Sequence, residues 1–455
     1  MLTDDVSPED WDRLSRFAAY VHAIQCWDSE YYRNLLIKSS VWHWLQSEYP
    51  GPQPLFPNLH DLTGMRCSPH KPNILSLPLP SLRALHIHIP NTTDEHPGIS
   101  YRAAINFMLR RTFRGSPLLS DVSLTWQWLD FTSYLLPEDA CSLPVLVEMK
   151  RLHRLNIMEA CIVEDMEFLR VLAALVHLQR LDINIRWPTD QNPEFVGFPE
   201  LRELRLLVED DTRAHVCTIF ASPHLHSLWL KHDTLTSRTL RRAIQGVSQR
   251  HPLLQVLEWE IGRISSNAPA IPVAQLCTLS EVLEPLLLRP MRQIALYAHS
   301  TKARPIARIT QEDMSQLAKA WPTVTHIVIL LPLADTVSEK ALVPFAKHCP
   351  SLEVLRLTNV MFRLDSEEAL EAYPRLKHRL GTLCLNDVKF ANKELSGKLL
   401  ARLFARLSGV ATEYSRDPDD PWDMTVFGMG REYWYQYDTD VKAAISAAWN
   451  DEVTY

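Results

Sequence analysis

Glycine is scarce in this chain, at 12 of 455 residues, against an average usage of about 7%. Phosphate-cradling loops and tight hairpins lean on glycine, which adopts left-handed backbone conformations at little steric cost. Both features are therefore disfavoured here. Paired cysteines are also missing. Cys26, Cys67, Cys141, Cys161, Cys217, Cys277, Cys349 and Cys384 are never closer than 20 residues and form no Cys-x-x-Cys pair. That spacing excludes the usual zinc motifs, and scattered thiols fit a reduced protein of the cytoplasm or nucleus. No long apolar run occurs. The longest, from Ile327 to Ala334, is interrupted by Pro332 and falls far short of the roughly 18 residues of a membrane span. An excess of positive charge is lacking too: 47 basic residues face 54 acidic ones, for a net charge of −7. A nucleic-acid partner is thus not expected. The N-terminus, Met1 to Asp10, is acidic and polar and does not read as a signal peptide. Asn91-Thr-Thr93 reads as a chance match to the glycosylation triplet.

What is present is apolar residues, 46% of the chain, enough for a large core, and an internal repeat. A proline is followed two residues later by leucine, and that leucine opens Leu-x-x-Leu-x-Leu. Pro80-Ser-Leu82-Arg-Ala-Leu85-His-Ile87, Pro199-Glu-Leu201-Arg-Glu-Leu204-Arg-Leu206, Pro223-His-Leu225-His-Ser-Leu228-Trp-Leu230 and Pro350-Ser-Leu352-Glu-Val-Leu355-Arg-Leu357 are the clearest copies. Looser copies bring the first apolar positions to 59, 82, 119, 152, 178, 201, 225, 254, 291, 324, 352 and 380. Twelve copies therefore recur at spacings of 23 to 37 residues. The last two apolar positions of each copy alternate with polar residues, which is the period of a strand with one buried face. Between copies, stretches such as Arg102–Leu109, Ser237–Val247, Met314–Trp321 and Leu342–Ala346 place apolar residues at helical spacing. Proline disfavours helical geometry in the residue before it, so each Pro-Leu step ends a helix and prepares a strand. One strand and one helix, stacked repeatedly, give a solenoid.

Leu-x-x-Leu-x-Leu with intervening helices resembles the leucine-rich repeat. The consensus asparagine or cysteine is mostly absent, with Ala160, Val360 and Val388 in its place, so the repeats are irregular. Ser7-Pro-Glu-Asp-Trp11-Asp-Arg-Leu14, followed by Phe17-Ala-Ala-Tyr-Val21, resembles the stretch just after the F-box in fungal F-box/leucine-rich-repeat-like proteins. Strand starts such as Phe198-Pro-Glu-Leu and Cys349-Pro-Ser-Leu carry the same resemblance. It implies an α/β solenoid with a parallel concave sheet and outer helices, and a non-catalytic substrate-binding part of a Skp–cullin–F-box ubiquitin ligase. An F-box, which would dock a Skp-type adaptor, belongs upstream of Trp11 and is not in this sequence. The alternative is a free-standing repeat scaffold that binds a protein partner without a ligase role.

Residues 1–55 read as an N-terminal helical cap, 56–410 as about twelve repeats, and 411–455 as a C-terminal aromatic and helical cap. In the first cap, Ser7-Pro8-Glu9-Asp10 has the form of a helix start, and Ser29 to Tyr49 reads as a second helix. In the last, Trp422, Phe427, Tyr433, Trp434, Tyr435 and Tyr437 precede a helix that follows Asp438-Thr-Asp440. That aromatic group is the alternative binding surface. No Gly-x-Ser-x-Gly, His-Glu-x-x-His or Gly-x-Gly-x-x-Gly motif is present, and Gly397-Lys398 lacks the rest of a phosphate loop. Neither catalysis nor a cofactor is expected. The remote alternative is a hydrolase whose triad is spread over loops. His86-x-His88, His224-x-His226 and the acids Asp417, Asp419 and Asp420 lack the further ligands or spacing of a metal site. What remains is surface. The repeat register turns Arg154, Asn156, Arg180, Asp182, Glu203, Arg205, Trp229, Lys231, Glu258 and Glu260 toward the concave face. Arginine and tryptophan are enriched at interface hot spots. Trp229 and Arg205 are expected to project into solvent as anchors for a protein partner, with no nucleic acid or membrane involved.

Overall fold

The computed structural model describes residues 6–25, 39–51, 53–66, 73–90, 101–127, 144–158, 162–163, 166–185, 196–208, 220–235, 237–264, 272–298, 304–407, 410–412, 436–437 and 439–453. The chain forms two compact units, Met1–Glu209 with Ile219–His224, and Asp210–Thr218 with Leu225–Tyr455.

The first unit contains β1 (Ala23–Gln25), β2 (Asp61–Arg66), β3 (Ala84–Pro90), β4 (Asp121–Gln127), β5 (Arg154–Asn156), β6 (Ile162–Val163), β7 (Arg180–Ile185), β8 (Val196–Gly197), β9 (Glu203–Val208) and β10 (Phe220–Ala221). Strands β1, β2, β3, β4, β5, β7 and β9 pair in that order, all parallel. Its helices are α1 (Pro8–Ala18), α2 (Ser39–Glu48), α3 (Tyr101–Gly115) and α4 (Met166–Ala173). Ser7 caps α1, its hydroxyl accepting from the Asp10 amide, as the Ser-Pro-Glu-Asp sequence predicts. Trp11 of α1 stacks on Trp44 of α2 at 4.9 Å, with Tyr49 edge-on at 5.7 Å. This aromatic contact holds the two helices together.

The second unit contains β11 (Ser227–Leu235), β12 (Val256–Ile264), β13 (Gln293–Ala298), β14 (His326–Leu330), β15 (Val337–Ser338), β16 (Val354–Thr358), β17 (Val360–Phe362), β18 (Thr382–Asn386), β19 (Lys389–Phe390), β20 (Val410–Thr412) and β21 (Gln436–Tyr437). Strands β11, β12, β13, β14, β16, β18 and β20 are parallel neighbours in that order, and β21 closes the series antiparallel to β20. Strands β15, β17 and β19 form a second small parallel sheet. The helices are α5 (Ser237–Arg250), α6 (Leu279–Leu287), α7 (Gln311–Ala320), α8 (Leu342–His348), α9 (Glu367–Glu371), α10 (Lys393–Leu403) and α11 (Thr439–Val453).

Both units are solenoids of leucine-rich-repeat type, α/β with parallel sheets. Two residues after every one of the twelve repeat starts, a strand begins. The twelve starting residues are at most 3% exposed, and the two apolar positions that follow in the best copies, such as Leu85 and Ile87, Leu204 and Leu206, or Leu355 and Leu357, are at most 1% exposed. Each such side chain contributes about 1.5 to 3 kcal/mol on burial. Spacing decides what fills the return. The 37-residue steps from 82 and from 254 hold α3 and α6, whereas the 23-residue step from 59 holds only a 3-10 turn, Ile74–Ser76, among its described residues. The irregularity of the repeats is thus mainly one of the returns: each repeat's strand starts at the same offset, and the β2–β3 pairing shifts register between Thr63 and Met65.

Polar side chains bind successive returns together. Asp313, 2% exposed, accepts from the Thr310 amide at 2.7 Å and the Thr310 hydroxyl at 2.8 Å in its own helix cap, and from the Ser280 amide of α6 at 3.1 Å. Asn359 stands at φ 57°, in the left-handed region that asparagine tolerates better than most residues. Its side-chain amide donates to the Leu333 and Asp335 carbonyls at 2.8 and 3.4 Å. The consensus position after the third leucine is Val360, so this contact comes from the residue before it. At the C-terminal end, α11 packs on α10 with Val441 and Ile445 fully buried. Gly397 makes this approach possible: a Cβ there would lie 2.4 Å from the Ala444 Cβ. The second helix is described only over α2, and the aromatic group from Trp422 to Tyr435 lies outside the described residues. Among the described residues no helix is long and apolar enough to cross a membrane.

Candidate functional site

Strand alternation sends one set of side chains into the core and the other to the open face of each sheet. In the first unit the open-face positions align in two rows across the strands. Ala84, Asp121, Arg154, Arg180 and Glu203 share one row. His86, Ser123, Asn156, Asp182 and Arg205 share the next. Acids and arginines are interspersed in these rows, and several of them meet. Arg180 forms a two-pronged contact with Asp182, Nε to Oδ1 at 3.3 Å and Nη2 to Oδ2 at 3.2 Å, and its Nη1 reaches Glu203 at 3.4 Å. Arg154 stands 3.8 Å from Asp121, whose other oxygen is 3.3 Å from His86 Nε2. Burial works against the Arg180 charge, but Asp182 and the other acids outweigh it and raise its pKa. Burial pushes the Asp182 carboxyl up, with Arg180 and Arg205 offsetting part of the effect.

Asp182 was expected on the binding surface with its neighbours. It is 4% exposed and clamped by Arg180, so it fixes the arginine and has no oxygen turned to a partner. Arg154 and Arg205 are exposed, and Arg180 and Glu203 are half-buried.

The second unit's open face is of another kind. Trp229, Glu258, Ala295, Val328 and Arg356 form one row, and Lys231, Glu260, Tyr297 and Leu330 the next along β11 to β14. The Tyr297 hydroxyl lies 2.9 Å from Glu258 Oε1 and 3.3 Å from Glu260 Oε2. A phenol carries one proton, and the shorter contact gives it to Glu258. The Trp229 indole N–H donates to the same phenol oxygen. Burial, then the charges of Glu258 and Glu260, push the Tyr297 pKa far above its ordinary value, so it stays a neutral donor. Lys231 pairs with Glu260 at 2.8 Å, the carboxylate side chain being only 4% exposed.

The expectation that Trp229 projects freely into solvent is corrected here. It is half-buried and fastened to Tyr297 of the next row, two strands on, because a long indole on an open sheet face reaches across a strand spacing of about 4.8 Å per step. The sequence register placed Trp229, Lys231, Glu258 and Glu260 on one face, and the structure brings all four together. Tyr297, Ala295, Val328 and Arg356 were missed. Their signal was available: Ala295 and Tyr297 flank Leu296 in the shifted copy behind Pro290, at the same offsets as Glu258 and Glu260.

Behind this face, His232 is 1% exposed. Its Nδ1 accepts from the Trp259 indole N–H at 3.1 Å, and the two rings stack at 5.3 Å. Burial lowers its pKa to about 4. Among the described residues no group of three or more His, Cys, Asp or Glu is placed to hold a metal ion. His86 is engaged by Asp121, and His88 Nδ1 by the Thr125 hydroxyl at 2.5 Å. Asp417, Asp419 and Asp420 lie outside the described residues. Cys277, Cys349 and Cys384 are free thiols.

Fold and face together define a repeat protein of leucine-rich-repeat type with a shaped, mixed-charge sheet surface. No protein-family model matches the sequence, and no curated protein matches it. Similar solved structures include an internalin of Listeria monocytogenes, 12% identical, covering 68% of this chain and 75% of that one at a TM-score of 0.33. The yeast Rad7–Elc1 complex contains a chain 13% identical, with 88% of each chain covered and a TM-score of 0.41. A leucine-rich-repeat protein of Leptospira interrogans is 13% identical, covering 89% of this chain and 98% of that one at 0.34.

Proposed function

We propose that this protein is a non-catalytic recognition module that holds a protein partner on the open sheet face of its second unit. The observation that carries the reading is the fixed pair Trp229 and Tyr297 beside the small side chains Ala295 and Val328. Aromatic side chains held rigid by their neighbours lose little entropy on binding, and such positions dominate interface energetics. Arg154, Arg180, Glu203 and Arg205 of the first unit, with Asp182 holding Arg180, form a second and more polar contact surface in this reading. The scattered thiols support an intracellular location. The resemblance of residues 7–21 to the stretch after an F-box extends the proposal to a substrate receptor of a Skp–cullin–F-box ligase, and a free-standing scaffold is its alternative. Binding of a purified Skp-type adaptor to the full gene product supports the receptor, and lack of binding supports the scaffold.

The central test is crosslinked partner capture by the wild type and by Trp229→Ala and Arg205→Ala. Truncation of a buried anchor costs a complex about 2 kcal/mol or more, so Trp229→Ala should weaken capture by more than tenfold. Arg205→Ala should weaken it less. Unchanged capture by both variants would move the site to the aromatic segment around Trp434 or to the helices. Turnover of generic ester, phosphate or glycoside substrates by the purified chain would overturn the non-catalytic reading.

A further inference from the structure

The cluster around Tyr297 is unbalanced in charge. Two carboxylates, Glu258 and Glu260, converge on one phenol hydroxyl, and one ammonium, Lys231, lies in contact with Glu260. Lys231 is bound to Glu260 at 2.8 Å, which leaves Glu258 with a neutral donor, the Tyr297 hydroxyl, as its described partner. The next cation in the Glu258 row is Arg356, three strands farther on, or about 14 Å at the usual strand spacing. A half-buried carboxylate without a counter-charge has lost part of its hydration and gained little in return. Directly beside it, in register on β11, stands Trp229.

A carboxylate next to an indole suits one class of side chain. A guanidinium stacks on an aromatic face and offers a planar fork of donors to a carboxylate. It would supply the missing positive charge and cover the small side chains Ala295 and Val328 with the chain that carries it. The first unit's face offers no comparable place. Arg154 there is matched by Asp121 and Arg180 by Asp182 and Glu203, and its outward strand positions carry no Phe, Tyr or Trp among the described side chains.

The geometry points to Trp229, Glu258 and Tyr297 as a clamp for an arginine side chain, lysine being second best, presented by an extended segment of a protein partner. This rests on the reading of the second unit's open face as the recognition surface and names the chemistry that face selects.

The test pans a random dodecapeptide library on the immobilised full chain. Recovered peptides are remade with arginine or with citrulline, its neutral isostere, and titrated against wild type, Glu258→Gln, Trp229→Leu and Val328→Asp by fluorescence anisotropy. Arginine should be enriched. Citrulline should weaken binding to the wild type by tenfold or more, and to Glu258→Gln by less than threefold. An equal citrulline loss on both proteins, no citrulline loss, or recovery of no peptide overturns the clamp. If the peptides stay sensitive to Trp229→Leu and Val328→Asp while indifferent to charge, the clamp fails and the recognition face stands. If they ignore both substitutions, the face fails with it.

Discussion

The two sheet faces of this protein are built on the same strand pattern and have opposite characters. In the first unit, Arg180 is held by Asp182 and Glu203, and Arg154 faces Asp121, so the acids and arginines answer one another. In the second, Trp229 and Tyr297 stand among small apolar side chains, and Glu258 shares a phenol proton instead of meeting a cation. A face most of whose charges are already paired must break contacts to present them to a partner. A face with a fixed aromatic pair and an unanswered carboxylate has something left to offer. The end elements differ in the same way. Trp11 and Trp44 close the first unit's helices by aromatic stacking, while α10 and α11 close by the near-contact of Gly397 with Ala444.

The largest expected effect is acid sensitivity of the second unit through His232. Its folded pKa of about 4 lies below the ordinary value of 6.5. The unfolded chain therefore takes up the proton first, and stability present above pH 6.5 is lost as the pH falls toward 4. The difference corresponds to about 3 kcal/mol. Urea midpoints at pH 7 and pH 4.5 should show a smaller acid loss for His232→Gln than for wild type, and equal losses would remove His232 from the account. Next in size, Gly397→Ala forces a methyl into a gap that does not exist and should destabilise the α10–α11 contact by about 2 kcal/mol, read as lost amide protection in both helices. Unchanged protection would mean that α11 can shift away at no cost.

The contrast between the faces is tested most directly by removing one acid from each. Asp182→Ala leaves the half-buried Arg180 short of its main partner and should cost about 1.5 kcal/mol. Glu258→Gln removes a charge with no counter-ion and should change stability by less than about 0.5 kcal/mol. Equal losses in thermal melts would erase the distinction between the faces. The smallest effect is expected for Arg205→Ala, an exposed side chain, again within about 0.5 kcal/mol; a larger loss would show the first face to be a tighter lattice than its distances indicate.

Much of the architecture was legible because strand register repeats. Pro-x-Leu followed by alternating apolar residues marks where each chain segment turns from return to strand, and the local rule needs no knowledge of neighbours. The returns were less legible. Helices α3 and α5 carry clear 3.6-residue periodicity, but the short return at Ile74–Ser76 has too few residues to show any period. The contact at Asn359 was missed because the consensus counts to Val360, and only the backbone shows which residue turns toward the previous repeat.

For the candidate site, the sequence by itself determined the face: alternation alone placed Trp229, Lys231, Glu258 and Glu260 on one side of their strands. It could not determine which of them meet, because contacts such as those of Tyr297 with Glu258 and Glu260 join residues 39 and 37 apart in the chain. Only the tertiary structure brought Tyr297 between two carboxylates and buried Asp182 under Arg180. The physical reason is that burial and charge balance belong to the assembled sheet. A side chain's hydration, its counter-ion and its pKa are set by neighbours across strands, and sequence spacing fixes the direction a residue points but not what it finds there.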